Sequence, residues 1–328
     1  MPAPGLGAPS DASPDDADAR CPQCGSDARH LRYRITDFRV YDCASCGVVY
    51  LWPQIDDDTV RELFQTLYTE GEGSVPELKT YYDFTYHDRP DNPLVDQYER
   101  WLDSIERERQ PGKLLDIGCG TGLFLAVARR RGWEPYGVDD CVEATSHARD
   151  HFGLDVWNGQ FTEFAAREGL RFDAVTMWDV IEHARDPVGL LRAARSVLEP
   201  AGVVAVSTPN QRNLMDDVAG LLYRATGGRL TGPLEKFYIE QHFLYYGPDT
   251  LRDAFDRAAL DTLTLHREET DLRRLSLAWP VRAGLEALFF TARRLGLENR
   301  LFALARLPDA APAGGAPVGT APTGPTRA

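Results

Sequence analysis

The sequence predicts an α/β fold, a mostly parallel sheet with helices on both faces, preceded by a small cysteine-rich module. Three observations predict it. The stretch LLDIGCGTG at 114–122 reads as a buried strand running into a turn with glycine at 118, 120 and 122, and a helix, LFLAVARRR, begins at once from Leu123. Strand-like and helix-like segments then alternate along the chain, the pattern that gives a parallel sheet covered by helices. Ahead of them, four of the six cysteines fall in two pairs, Cys21-x2-Cys24 and Cys43-x2-Cys46, with 18 residues between the pairs.

Residues 1–20 are rich in Ala, Pro, Asp and Ser, and disorder is expected there. Residues 21–50 read as a zinc ribbon: two tight knuckles each supply two thiolates, and Gly25 and Gly47 follow the pairs where a knuckle must turn. Four thiolates fill a tetrahedral ion, so the expected role is structural. Disulfides are the rival reading. The N-terminus, MPAPGLGAPSDASPDDADAR, has no basic start and no apolar stretch, so a cytoplasmic chain is expected, where thiols favour metal. Cys119 and Cys141 have no ligand spacing and are read as packing residues.

Residues 51–93 form a connector with an aromatic cluster, YYDFTYHDRP, whose Tyr81, Tyr82 and Tyr86 are either a lid over a site or core. The main domain is placed at 94–307. It opens with a helix whose Leu94, Tyr98, Trp101, Leu102 and Ile105 share one face. Expected next are strand 113–117, helix 122–131, strand 134–139, helix 142–152, strand 154–157, a short helix near 162–168 and strand 172–178. Helix 187–198 follows, capped by Asp186 with Pro187 in its first turn, and then strand 202–208. Residues 211–247 are too long for an ordinary connection, and an insertion at that end of the sheet is expected to cover the site. Helix 248–259, strand 261–267 and a helical stretch at 275–297 expected to be buried follow. The tail from 308 to 328 is low in complexity, and disorder is expected.

The glycine turn and the strand EPYGVD, which ends at Asp139, mark a nucleoside site. The glycines let a ligand touch backbone, and the carboxylate accepts hydrogen bonds from ribose hydroxyls. D-I-G-C-G-T-G resembles the first motif of class I S-adenosylmethionine (SAM) methyltransferases, and FDAVTMWDVIEHARDP (172–187) and LEPAGVVAVSTPN (198–210) resemble the family's fourth and fifth strands. The resemblance implies a Rossmann-like, seven-stranded sheet, and LENRLFALARLP resembles its antiparallel last strand. It implies SAM as cofactor, with Gly118, Gly120 and Gly122 in close approach, Asp116 near the methionine end, Asp139 on the ribose diol and Asp140 assisting. Met177 and Trp178 fall where relatives line the cofactor, Tyr82 is a candidate cover, and Asn158 or Gln160 stands where relatives place an acid on the adenine. His183, after Glu182, is a candidate base or a structural cap, and His242 in IEQHFLYYGP is a candidate base or a loop anchor.

The expected reaction is methyl transfer to the oxygen or carbon of a small molecule: a metabolite, sugar or quinone-like compound. The alternative is a zinc-ribbon rRNA or tRNA methyltransferase, and a third reading is a SAM-binding docking protein. A net charge of −14, and only four arginines against three aspartates in 21–50, speak against nucleic acid as a partner. No run of 18 apolar residues occurs, so no integral membrane association is expected.

Overall fold

The computed structural model describes residues 18–36, 38–69, 84–167 and 169–308. A seven-stranded sheet forms the centre. Its strands are β4 (Lys113–Ile117), β5 (Glu134–Asp139), β6 (Asp155–Asn158), β7 (Phe172–Trp178), β8 (Leu198–Pro209), β10 (Asp261–Glu268) and β11 (Arg300–Arg306). They lie in the order β10-β11-β8-β7-β4-β5-β6, with β11 antiparallel to both neighbours and the run from β8 to β6 parallel. From β4 the chain winds outward to β5 and β6, then returns to β7 and β8 on the other side. The C-terminal edge at β4 is therefore the topological switch point, where such sheets hold ligands.

The central strands are apolar on both faces, as a sheet covered twice must be. Leu114, Leu115, Val175, Met177, Val204 and Val206 are all buried. One cover includes α2 (Pro93–Glu108), where Asn92 accepts the Leu94 N–H as N-cap and the Leu94, Trp101, Leu102 and Ile105 face is buried. Helix α3 (Leu123–Arg130) follows the glycine turn, and α4 (Val142–Phe152), α5 (Phe161–Ala165) and α6 (Pro187–Ser196) cross between strands. Asp186 caps α6 through the Gly189 N–H at 2.8 Å. The strand expected at 202–208 starts earlier, at Leu198, and pairs with Phe172 there, so α6 stops at Ser196.

The cysteine module does not stand apart. Its strands β1 (Arg29–Arg34), β2 (Arg39–Cys43) and β3 (Val49–Trp52) are joined by β9 (Leu244–Tyr245) from the end of the 211–247 insertion, giving the order β1-β2-β3-β9. Cys21, Cys43, Val48 and Tyr50 share one buried cluster with the main sheet. The disorder expected for residues 1–20 falls largely outside the described residues. Within them Ala19 is fully buried, and its carbonyl accepts from Arg29, so ordered chain begins before the first cysteine. The tail expected to be disordered also lies outside them, save Pro308.

The remaining helices are α1 (Asp57–Thr69), α7 (Leu214–Ala225), α8 (Gly232–Glu235), α9 (Pro248–Arg257) and α10 (Trp279–Leu295). The burial expected for 275–297 is not found: only Phe289 and Ala292 of α10 are buried, and Trp279 is 80% exposed. The helix lies between the last two strands in the chain and meets α7, and only the side carrying Phe289 and Ala292 is covered, so its other apolar residues find no second layer. No described helix is long and apolar enough to cross a membrane.

Candidate active site

A cleft of about 1380 Å³ opens at the C-terminal edge of the sheet. One half is built by the turns after β4 and β5. Backbone N–H groups of Gly118 and Cys119 donate to the Val138 carbonyl, and the Gly120 N–H donates to Asp139 Oδ2 at 2.8 Å. Gly118 sits at φ +71°, and a Cβ there would stand 2.5 Å from Val180 Cγ2, so side-chain-free backbone is required at this point. Asp116 lies beneath the turn, buried, and accepts the Thr176 hydroxyl at 2.6 Å; burial holds its carboxyl well above the usual range. Asp139 also accepts the Cys141 N–H, and burial pushes its pKa up to about 6.

Asp116, Gly118, Gly120, Asp139, Asp140 and Trp178 all line this cleft. Two residues expected at the cofactor are placed elsewhere. A Cβ on Gly122 would meet Ala148 and Leu154 at under 3 Å, so this glycine makes room for α4 and the start of β6. Met177 is fully buried in the core beside Val175 and Val206, because alternate residues of β7 face opposite sides of the sheet. Asn158 and Gln160 are exposed and bind back to the β5 end, Asn158 to the Asp139 carbonyl and Gln160 to the Asp140 carboxylate. Tyr81 and Tyr82 lie outside the described residues, and Tyr86 packs edge-on against His147. From the connector, Phe64 and Thr85 reach the cleft instead.

The far half gathers polar groups around the end of β7. Asp179, at φ +55°, pairs with Arg300 of β11 at 2.6 Å, and the same guanidinium binds Ser207. His183 and His242 stack edge to face at 4.7 Å. The His183 Nδ1 lies 2.6 Å from the Gln241 carbonyl, which accepts only from a protonated Nδ1 and leaves Nε2 as the lone-pair atom. Burial lowers the pKa of both histidines, so both are neutral near pH 7. Behind them Glu182 is buried, takes the Thr208 hydroxyl at 2.9 Å, and has its pKa raised to about 8 by burial and by Asp179. Glu182 Oε1 and His242 Nδ1 are buried without a described hydrogen-bond partner. Donor atoms of Glu182, His183 and His242 lie within 4.8 Å of one another, a set able to hold a divalent cation.

Aromatic rings separate the halves: Trp101 stacks on Trp178 at 4.3 Å, with Phe124 against Trp178. The cleft is also lined by Leu272, Leu275, Leu277, Val281, Leu285 and Phe289, with the buried Arg274 among them. Sequence reading missed Asp216, Tyr238 and Arg300 in this wall. Tyr238 and Asp216 belong to an insertion with no motif, and Arg300 sits in a strand expected only from the family resemblance.

Outside the cleft, the sulfurs of Cys21, Cys24, Cys43 and Cys46 lie within 4.8 Å of one another, with the Cys21–Cys46 and Cys24–Cys43 pairs at 3.6 Å. Tetrahedral zinc with bonds of about 2.3 Å sets its sulfurs about 3.8 Å apart, so the four residues fit that ion. Cys119 and Cys141 are buried away from this cluster.

Comparison with known proteins agrees with this geometry. Residues 87–265 match the model of a methyltransferase domain family. A ubiquinone biosynthesis O-methyltransferase from Alkalilimnicola ehrlichii is 36% identical over 126 residues, covering 37% of this chain and 49% of the relative. One of the same description from Xanthomonas campestris is 34% identical, over 38% of this chain and 55% of the relative. The chain thus spans about half the length of the curated relatives it matches. Among solved structures, the Synechocystis magnesium protoporphyrin IX methyltransferase with bound SAH aligns over 77% of this chain and all of that one, at a TM-score of 0.50 and 14% identity. The Haemonchus contortus phosphoethanolamine N-methyltransferase 2 in complex with SAM aligns over 80% and 62%, at 0.52 and 14%. These two likenesses establish the fold. With the family model spanning more than half of its length, the chain belongs to the methyltransferase domain family.

Proposed function

We propose that this chain is an enzyme that transfers a methyl group from SAM to a small-molecule acceptor, most consistently a hydroxyl on a compound with an apolar body. The observation that carries this is the division of one cleft between a nucleoside-type half at Gly118–Gly120 and Asp139 and a half with neutral histidines and an apolar end. SAM, when bound, supplies an electrophilic sulfonium methyl. The Asp139 carboxylate would hold the ribose diol, with Asp140 beside it and Asp116 beneath the turn. The Trp101–Trp178 stack would exclude water where the halves meet. His183 Nε2 is the proton acceptor for an acceptor hydroxyl, and Glu182, once ionised, steadies the positive charge that the imidazole gains. His242 contributes a second neutral ring to the same wall.

The curated relatives are described as O-methyltransferases of ubiquinone biosynthesis, which supports oxygen as the accepting atom. The apolar side chains of Leu272, Leu275, Leu277, Val281, Leu285 and Phe289 in the lining support a quinone-like rather than a sugar-like body. The four cysteines we assign to a structural zinc. The RNA alternative gains no support from a chain of net charge −14.

The test is to incubate the purified protein with methyl-tritiated SAM and an extract of its source organism, then separate RNA, protein, lipid and small-molecule fractions. Label in the small-molecule or lipid fraction is expected. Label confined to RNA would overturn the reading.

A further inference from the structure

The cysteine module is tied to the far half of the cleft by three sets of contacts. The first is electrostatic. Arg32 of β1 reaches out of the module to Asp216 of α7 at 3.0 Å, while also holding Asp42 of β2 at 3.1 Å. Asp216 is 3% exposed and lines the cleft, where it accepts the Tyr238 hydroxyl at 2.8 Å and Gln211 Nε2 at 3.2 Å. A buried carboxylate keeps its place only with a compensating cation, and Arg32 supplies it. Tyr238, itself buried in the cleft wall, is thus oriented by an arginine that does not line the cleft.

The second set is packing. Tyr33 lies edge-on to Tyr223 of α7 and to Tyr238, at 5.3 and 5.6 Å. It is seated over Gly220, where a Cβ would stand 2.2 Å from the Tyr33 hydroxyl oxygen. The third is backbone. Strand β3 pairs with β9 through Val49–Tyr245 and Tyr50–Leu244, and the Leu51 N–H donates to the Phe243 carbonyl. The Phe243 N–H in turn donates to the Glu182 carbonyl at 2.8 Å. The residue fixed between those two bonds follows His242 directly.

We propose that the metal-loaded module buttresses the acceptor half of the cleft from behind its wall: Arg32, acting through Asp216, is a positioning residue for Tyr238, and β3, acting through β9, sets the place of His242. Metal loading of the four-cysteine site then governs the order of the acceptor half before that of the SAM half: the module shares a buried cluster with Leu115, Ile117 and Val138, but the SAM half is also held by the parallel β4–β5 pairing and the hydrogen bonds of their own turns. This rests on reading the far half as the acceptor side.

The experiment uses the full chain and needs no acceptor. Zinc content, SAM affinity by calorimetry and amide hydrogen exchange are measured for the unaltered protein, for the protein stripped with a chelator, and for Arg32→Leu, Arg32→Lys and Gly220→Ala. In Arg32→Leu, zinc content and SAM affinity are expected to stay within about twofold of the unaltered protein. Exchange across 232–246 should rise by about tenfold or more, with 113–139 unchanged. Arg32→Lys should restore part of that protection. Gly220→Ala, which touches neither a cysteine nor the charge pair, should reproduce the loss, and chelation should extend it through residues 21–52. Unchanged exchange at 232–246 in both Arg32→Leu and Gly220→Ala would overturn the proposal. So would an equal loss across 113–139, since the module would then support the whole fold. Failure of the unaltered chain to bind SAM would instead sink the proposed function, and is read from the same calorimetry.

Discussion

The Asp139 carboxylate bridges the Gly120 N–H at 2.8 Å and the Cys141 N–H at 2.9 Å, so the end of β5 is tied at once to the glycine turn and to the start of α4. The carboxylate and the turn are therefore one unit, and protonation of that carboxyl is felt by both.

The first prediction follows from its pKa. Burial raises the Asp139 carboxyl from the usual range to about 6, so it is ionised above that pH and protonated below it. SAM affinity should be flat above about pH 7 and fall by up to about tenfold per unit as pH drops through 6. Asp139→Asn should flatten the profile, and Asp139→Ala should cost about 1–3 kcal/mol of binding. Calorimetry across that range checks it; a flat profile in the unaltered protein removes the Asp139 charge from SAM binding.

Turnover should depend on His183. Its Nδ1 is committed to the Gln241 carbonyl and its ring is neutral near pH 7, so Nε2 is available as a base. His183→Ala should lower the rate by about a hundredfold or more with SAM affinity retained. Full activity in that variant would assign the ring to holding the insertion loop.

Glu182 adds a second rise, at higher pH. With a pKa raised to about 8, it is mostly protonated at pH 7 and gains its charge as pH rises. A charged Glu182 favours the protonated imidazole, so the rate should climb through about pH 8, and Glu182→Gln should remove that climb. A variant that keeps the unaltered profile would exclude Glu182 from it.

Gly118→Ala should damage the turn itself. The position needs φ +71°, and the added methyl meets Val180. A cost of about 1–3 kcal/mol in stability is expected, from strained backbone and crowding. Urea unfolding read alongside SAM calorimetry would show it, and a variant as stable as the parent would contradict the stated clash.

Cys43→Ser should empty the four-cysteine site, since its sulfur lies 3.6 Å from that of Cys24 within a set spaced for tetrahedral metal. Loss of zinc by elemental analysis and a lower melting temperature are expected. Unchanged zinc content would refute the assignment.

The sequence alone determined the alternation of strands and helices from 113 to 208, the turn at 118–120, Asp139 at a strand end and the two cysteine pairs, because each of these is local. Hydrophobic period, glycine spacing and short ligand spacing act over a few residues, and a reader of the chain meets them directly. Tertiary structure decided which of those residues face the cleft. Met177 turned to the core by the two-residue period of its strand, and Gly122 gave its space to Ala148 and Leu154. It also brought together residues with no local pattern at all. Arg32 and Asp216 are 184 positions apart, and Asp179 and Arg300 are 121 apart. Such pairs form because a buried charge is stable only beside an opposite one, and only the packing of α7 on β1, and of β11 and the end of β7 on either side of β8, brings the partners near enough.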